Sequence, residues 1–226
     1  MEQLKERAAQ AAVENIRDGM VVGLGSGSTA EYGIHALGRR VAAGLRITAV
    51  PTSDASATLA AGYGIRLVTM QEAPIIDLTF DGADQVDPQL NLIKGLGGAL
   101  LREKVVASAT ERQIIVIDPG KLVDRLGGPV PVPVEVIPFG WSLVQRVLQQ
   151  RGIRAELRQL QTGPYLTDNG NYIVDCFFPQ GILDPARTDT VLNSIPGVVE
   201  NGLFVGLVSE VIVGQEQGEC RIIRRS

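Results

Sequence analysis

Short apolar runs alternate with stretches of helical periodicity through the first 117 positions of the chain. Runs of strand length fall at 20–24, 45–50, 65–68, 76–80 and 113–117. Between and before them, apolar positions recur at helical spacing. Leu4, Ala8, Ala12 and Ile16 make one stripe of an amphipathic helix over 1–19, and further helices are predicted at 29–40, 53–61 and 99–109. Strands that alternate in sequence with helices pair in parallel through helical crossovers. The pattern therefore predicts an α/β domain with a mostly parallel sheet and helices on both sides. The proline-rich stretch 129–138 reads as a boundary, and beyond it the rhythm changes. A helix at 140–150, a strand at 154–160, a second strand at 172–178 and a helix at 185–194 suggest a small antiparallel α+β domain over 128–200. Asn169-Gly170, between two β-patterned runs, reads as a hairpin turn, since type I′ turns need positive φ at both central residues. The final apolar runs, 204–213 and 221–223 around a turn at 214–218, read as a hairpin returning to the first domain. The expected division is 1–127 plus 201–226 against 128–200.

Composition narrows the class. With 45% hydrophobic and 20% charged residues in 226, the chain can bury a large core, which excludes disorder; 26 Gly and 12 Pro without a period exclude fibrous repeats. A net charge of -4, and no basic block longer than Arg224-Arg225, argue against nucleic acid or an anionic membrane as partner. No apolar run nears the ~18 residues of a membrane span. The charged amphipathic start does not read as a signal peptide, so a cytoplasmic protein acting on a small molecule is expected. The two cysteines, Cys176 and Cys220, supply neither a disulfide framework nor a cysteine-based metal site.

In an open parallel sheet, ligands bind where loops leave the carboxyl ends of the strands. Four such loops carry polar chemistry. Gly25, Ser26, Gly27, Ser28 and Thr29 form a phosphate cradle by composition, with small residues admitting backbone amides and a helix amino terminus behind them; a plain helix-capping turn has the same composition. No lysine of a Walker loop is present. Asp81, Gly82, Ala83, Asp84 and Asp87 place carboxylates directly after a strand, suited to sugar hydroxyls, acid–base work or a divalent metal, or simply to a solvated turn. Lys94, Gly95, Leu96, Gly97 and Gly98 lead into a helix bearing Glu103, whose carboxylate could either complement the helix dipole or point into a cleft. Lys121, after Asp118-Pro119-Gly120, could bring an ammonium to the same edge or stay in solvent. His35, the one histidine, has no partner set for a triad and reads as helix surface.

Together, GLGSGSTA at 23–30, PTSDAS at 51–56, DGADQVD at 81–87, IKGLGGALLREK at 93–104, DPGKLVDRLG at 118–127 and PVPVEVIPFG at 129–140 resemble the A-type ribose-5-phosphate isomerases. TDNGNYIVD at 167–175 and IPGVVENGLF at 195–204 extend the likeness through most of the chain. The resemblance implies a Rossmann-like domain with an inserted ferredoxin-like lobe, a homodimer or homotetramer, no cofactor and no metal. It also implies isomerisation of ribose 5-phosphate to ribulose 5-phosphate through an enediol, in the non-oxidative pentose phosphate pathway. Carried over by motif, Glu103 is the proton-transferring base. Lys94 stabilises the enediolate, and Asp81 with Asp84 holds hydroxyls and assists ring opening. Substrate contacts are implied for Ser26, Gly27, Ser28, Thr29, Asp81, Gly82, Ala83, Asp84, Lys94, Gly95, Leu96, Gly97 and Lys121, with Lys5 as a further phosphate ligand. Two positions depart from the family's usual pattern: Ser26 where threonine is common, and Leu96 where glycine is.

Two other classes are worth separating. A non-catalytic sugar-phosphate sensor should lack the base and adjoin a DNA-binding module, whereas Glu103 is present and one helix precedes the first strand. A nicotinamide-dependent oxidoreductase fits G-x-G-x-x-A at 25–30, but the second strand runs into Val50-Pro51-Thr52-Ser53 without the carboxylate that would hold a ribose hydroxyl.

Overall fold

The computed structural model describes residues 1–217 and 219–225. In chain order the elements are α1 (Glu2–Val13), β1 (Val21–Leu24), α2 (Ser28–Ala42), β2 (Thr48–Pro51), α3 (Asp54–Gly62), β3 (Arg66–Leu67), β4 (Ile76–Asp81), β5 (Gln85–Val86), β6 (Leu92–Ile93), α4 (Leu100–Ser108), β7 (Thr110–Ile117) and β8 (Val132–Val136). Then come α5 (Trp141–Gln150), β9 (Arg154–Leu157), β10 (Gln159–Leu160), β11 (Gly163–Pro164), β12 (Tyr172–Phe177), α6 (Pro185–Asn193), β13 (Val198–Asn201), β14 (Leu203–Phe204), β15 (Glu210–Val213) and β16 (Arg221–Arg224). The chain forms two compact units: Met1–Ala83, Arg102–Lys121 and Leu207–Ser226 make one, and Asp84–Leu101 and Leu122–Gly206 the other.

The first unit is built on a seven-stranded sheet, ordered β16-β15-β7-β4-β1-β2-β3. All neighbours are parallel except the edge pair β15–β16. Counting the six parallel strands along the chain gives 3-2-1-4-5-6, the Rossmann order, whose direction reverses between β1 and β4. Both strands are almost wholly buried, as predicted for strands covered by helices on two faces. Their core joins Val22, Leu24, Leu78 and Phe80 to Ala8, Ala12 and Ile16 near the amino terminus and to Ile34 and Leu37 of α2. At ~1.5–3 kcal/mol for each large aliphatic or aromatic side chain fully buried, this cluster dominates the unit's stability. α1 is shorter than the predicted 1–19, because Asn15 Nδ2 donates to the carbonyls of Ala11 and Ala12 and caps the helix there. The terminal hairpin is present as β15–β16; Gly218 of its predicted turn lies outside the described residues.

The second unit carries a four-stranded antiparallel sheet, β13-β8-β12-β9, with α5 after β8 and α6 after β12. Its β-α-β-β-α-β order is the ferredoxin-like one. Val132, Val134 and Val136 pack against Val144, Leu148, Val174 and Leu192 to form its core. A three-stranded sheet, β14-β6-β5, also belongs to this unit, so Leu203 and Phe204 do not extend into the terminal hairpin.

Three expectations change here. The supposed boundary 129–138 contains β8, an interior strand; Pro133 lacks an N–H, but its carbonyl accepts from Gly202 N at 2.7 Å. The single strand expected at 154–160 breaks into β9 and β10. The two runs flanking Asn169-Gly170 do pair, β9 with β12 antiparallel, but Asn169-Gly170 is not a two-residue turn between them, because the tight hairpin β10–β11 intervenes in the connection. The Asn-Gly turn is tied down by Glu135 of β8, whose Oε1 accepts from Thr167 Oγ1, Asn169 Nδ2 and Asn171 Nδ2 at 2.9, 3.1 and 2.9 Å. Gly170 sits at φ +74°, but Asn169 does not adopt the positive φ that a type I′ turn also requires.

Candidate functional site

In the first unit, the chemistry gathers where β1 and β4 part. Asp81 ends β4 and is 1% exposed, and its Oδ1 accepts from Ser26 N at 3.1 Å and Gly82 N at 2.7 Å. One carboxylate oxygen thus fastens the loop after β1 to the loop after β4. The approach is close enough that a Cβ at Gly25 would sit 2.2 Å from that oxygen, and Gly27 turns the chain into α2 at φ +83°, so both positions call for glycine. Thr29 lies against Gly82, with its Cβ 3.8 Å from where a side chain at 82 would begin.

Beneath this cradle is a hydroxyl network that the residue pattern did not single out. Ser26 Oγ meets Thr52 Oγ1 at 2.7 Å, Ser53 Oγ at 2.8 Å and Ser56 Oγ at 3.4 Å. Thr52, Ser53 and Ser56 are buried; Thr52 Oγ1 donates to Leu24 O at 2.9 Å and Ser56 Oγ to Gly25 O at 2.7 Å. Ser53 also caps α3 by accepting from Ser56 N at 3.1 Å. Three clustered hydroxyls following β2, Thr52, Ser53 and Ser56, were a readable signal in PTSDAS at 51–56, although a cluster of this kind names no role by itself.

The rest of the first unit's set comes from the same sheet edge. α4 feeds β7 and so runs against the strands; its first turn, bearing Glu103, lies where β1, β4 and β7 end. Glu103 is 5% exposed, which removes the solvent-facing dipole role left open by the sequence. Lys121 closes a short 3₁₀ turn after β7, half-buried, with its N–H on Asp118 O at 3.2 Å. Among the described residues, the Lys121 ammonium bonds to neither Ser28 nor Thr29. Lys5 of α1 does reach the cradle, donating to Ser28 Oγ and Glu2 Oε1, each at 3.2 Å. His35 is paired with Tyr63 Oη at 2.7 Å, away from the cradle residues in sequence and bonding.

In the second unit, Asp84 is half-buried and its Oδ2 accepts from Leu96 N at 3.0 Å, joining the acidic loop to the lysine–glycine loop. Lys94 is 2% exposed, with Nζ 5.5 Å from the Phe204 ring centroid. Gly95 sits at φ +94° and its carbonyl accepts from Gly98 N at 2.9 Å. Arg158 donates from Nη1 to Leu96 O at 2.9 Å, and Tyr165 Oη donates to Gly97 O at 3.1 Å. Burial raises the Tyr165 phenol above its ordinary pKa, so it stays a donor. No sequence signal pointed to either residue. Asp87 is committed elsewhere: its carboxylate accepts from Gln89 N, Asn91 N and Asn91 Nδ2 at 2.9, 2.8 and 3.0 Å, closing a turn. Among the described residues, no group of three or more His, Cys, Asp or Glu side chains is arranged to hold a metal ion, and no helix is long and apolar enough to cross a membrane.

Comparison with known proteins adds a chemical context. Residues 48–218 match the family described as ribose 5-phosphate isomerase A, or phosphoriboisomerase A. A protein named ribose-5-phosphate isomerase A from Gloeobacter violaceus is 52% identical over 216 residues, covering 95% of this chain and 94% of its own. One from Bacillus mycoides is 47% identical, covering 96% and 98%. The solved ribose 5-phosphate isomerase A of Methanocaldococcus jannaschii has TM-score 0.94 and 42% identity, with 99% of each chain covered. A D-ribose-5-phosphate isomerase solved in complex with phospho-erythronic acid gives TM-score 0.94 and 43% identity over 99% of each chain.

Proposed function

The chain belongs to the ribose-5-phosphate isomerase A family, and from that membership we propose which residues carry its reaction, the interconversion of ribose 5-phosphate and ribulose 5-phosphate. Aldose–ketose isomerisation moves one proton between C2 and C1 through an enediol, with no net oxidation and hence no redox cofactor. One base placed within reach of both carbons suffices, and Glu103 fills that role. The oxyanion that develops as the proton leaves is met by the Lys94 ammonium and by amides of the loop that follows it. Asp81 and Asp84 hold hydroxyls and assist furanose opening, with Gly82 and Ala83 lining that loop and Gly95, Leu96 and Gly97 the next. The phosphate rests on Ser26, Gly27, Ser28 and Thr29, with Lys121 and Lys5 supplying charge.

The observation that carries this reading is the burial of Glu103 in the first turn of α4. A carboxylate that only complemented a helix dipole would remain in water, whereas this one is withdrawn from solvent at the carboxyl edge of the sheet, where ligands bind in an open parallel sheet. In this reading every residue that meets the substrate lies within 1–127, those of Asp84–Leu101 in the second unit included, and 128–200 supplies none. The same reading makes the protein a cytoplasmic homodimer or homotetramer of the non-oxidative pentose phosphate pathway; large exposed apolar side chains such as Phe139 and Leu183 support self-association. Purified protein given ribose 5-phosphate should accumulate ribulose 5-phosphate without added cofactor, and should scatter light as twice or four times the chain mass. Failure to form the ketose would refute the reaction, and a monomer would refute the assembly.

A further inference from the structure

We propose that Arg158 is a positioning residue for the isomerisation, aiming the amides of the loop at 94–97 through its hold on that loop's carbonyls; the proposal rests on the reading that this loop contacts the reacting end of the substrate. The guanidinium is fixed first by Asp175, in a two-pronged pair with Nε to Oδ2 at 2.9 Å and Nη2 to Oδ1 at 2.5 Å. Both side chains are largely buried, at 15% and 16% exposure. That pair sets the plane of the fork and leaves Nη1 directed onward to Leu96 O at 2.9 Å and Gly95 O at 3.4 Å. Tyr165, with its ring centroid 5.7 Å from the guanidinium carbon, adds the third carbonyl through its bond to Gly97 O.

In a trans peptide the carbonyl and the following N–H point in opposite directions. Holding Leu96 O therefore turns the Gly97 N–H to the side away from Arg158, and holding Gly97 O does the same for the next peptide. Leu96 N–H is already engaged by Asp84. A glycine-rich loop has no intrinsic preference among such peptide orientations, so an outside group must choose one. A lysine could not serve both Asp175 and two carbonyls from one nitrogen in a fixed plane.

The test compares Arg158→Met, Arg158→Lys and Tyr165→Phe with wild type. It measures kcat/KM on ribose 5-phosphate and inhibition constants for phospho-erythronic acid and for inorganic phosphate. Phospho-erythronic acid carries a fixed carboxylate where the enediolate would bear its charge, and an inhibition constant does not depend on the fraction of enzyme that is folded. The expected result for both Arg158 variants is a kcat/KM loss of ~10- to 100-fold, in the range that small misplacements cost, with phospho-erythronic acid weakened at least ~5-fold. Inorganic phosphate, served by the other loop, should bind unchanged. Tyr165→Phe, which removes one hydroxyl, should move the same two quantities by a smaller factor and decides the matter if the Arg158 variants do not fold. Values within ~2-fold of wild type throughout, or equal weakening of both inhibitors, would overturn the proposal. Lys94→Met separates the layers: lost turnover there with intact Arg158 and Tyr165 variants overturns the positioning role alone, whereas full turnover in Lys94→Met overturns the reading of the loop and the proposal with it.

Discussion

Ser56→Ala removes a single buried hydroxyl on which the cradle rests. Ser56 Oγ donates to Gly25 O at 2.7 Å and accepts from Ser53 Oγ at 2.9 Å, with Ser26 Oγ at 3.4 Å. Alanine fits the space but strips Gly25 O of this donor, 5% exposed as the site is. One net hydrogen bond is worth ~1 kcal/mol and an orphaned buried acceptor costs ~1–3 kcal/mol, so ~1–3 kcal/mol of stability should be lost. For a chain of this size each kcal/mol shifts Tm by ~2–4 °C, which predicts a Tm lower by ~2–12 °C in calorimetry. The catalytic consequence follows from which loop loosens. Gly25 and Ser26 lead into the proposed phosphate ligands, so KM for ribose 5-phosphate should rise several-fold while kcat stays within ~3-fold of wild type. A Tm unchanged within ~1 °C together with an unchanged KM would show that the hydroxyl network does not hold the cradle; a fall in kcat alone would show that it serves the reacting end instead.

Other expectations are narrower. Lys121→Ala should lower kcat/KM for ribose 5-phosphate by ~10- to 150-fold, the equivalent of one charge-assisted contact, and barely change the much poorer use of ribose; equal losses on both sugars would remove Lys121 from the phosphate. Prolonged chelation should leave initial rates unaltered, because Asp81, Asp84 and Asp87 already accept backbone N–H groups, and activity restored by magnesium after chelation would contradict this. Of the two cysteines, Cys176 is fully buried with its thiol pKa driven up by desolvation, and Cys220 is half-buried. A disulfide reagent at mild pH should therefore modify one thiol per native chain and two in denaturant; rapid reaction of both in the native protein would show that the second unit's core opens.

The parallel sheet was legible because short apolar-rich runs, such as those that became β1 and β7, alternate along the chain with stretches of helical period. The loops at its carboxyl edge were legible as composition, and the structure ties Ser26 and Gly82 to Asp81 and ties Asp84 to Leu96. Strand β8 was hidden in plain view: Val132, Val134 and Val136 alternate with period two, but Pro131 and Pro133 carry the punctuation of a linker. Its proline is tolerated because the partner strand's chain turns at Gly202, which donates to the carbonyl side. Strands β5, β6 and β14 are two residues each, too short for any period to register. Arg158 and Tyr165 were invisible for a different reason. Their bonds to the 94–97 loop span more than 60 positions of chain and end on carbonyls, which every residue type carries.

In the proposed reaction Glu103 is the base that carries the proton between C2 and C1, and Glu103→Gln tests that role most directly. Glutamine is nearly isosteric but cannot accept a carbon-bound proton, and general base catalysis supplies ~10²- to 10⁴-fold. Turnover of ribose 5-phosphate should fall by that factor, while the inhibition constant for phospho-erythronic acid and the Tm stay close to wild type. A loss smaller than tenfold, in a variant that folds and binds normally, would mean that another group moves the proton.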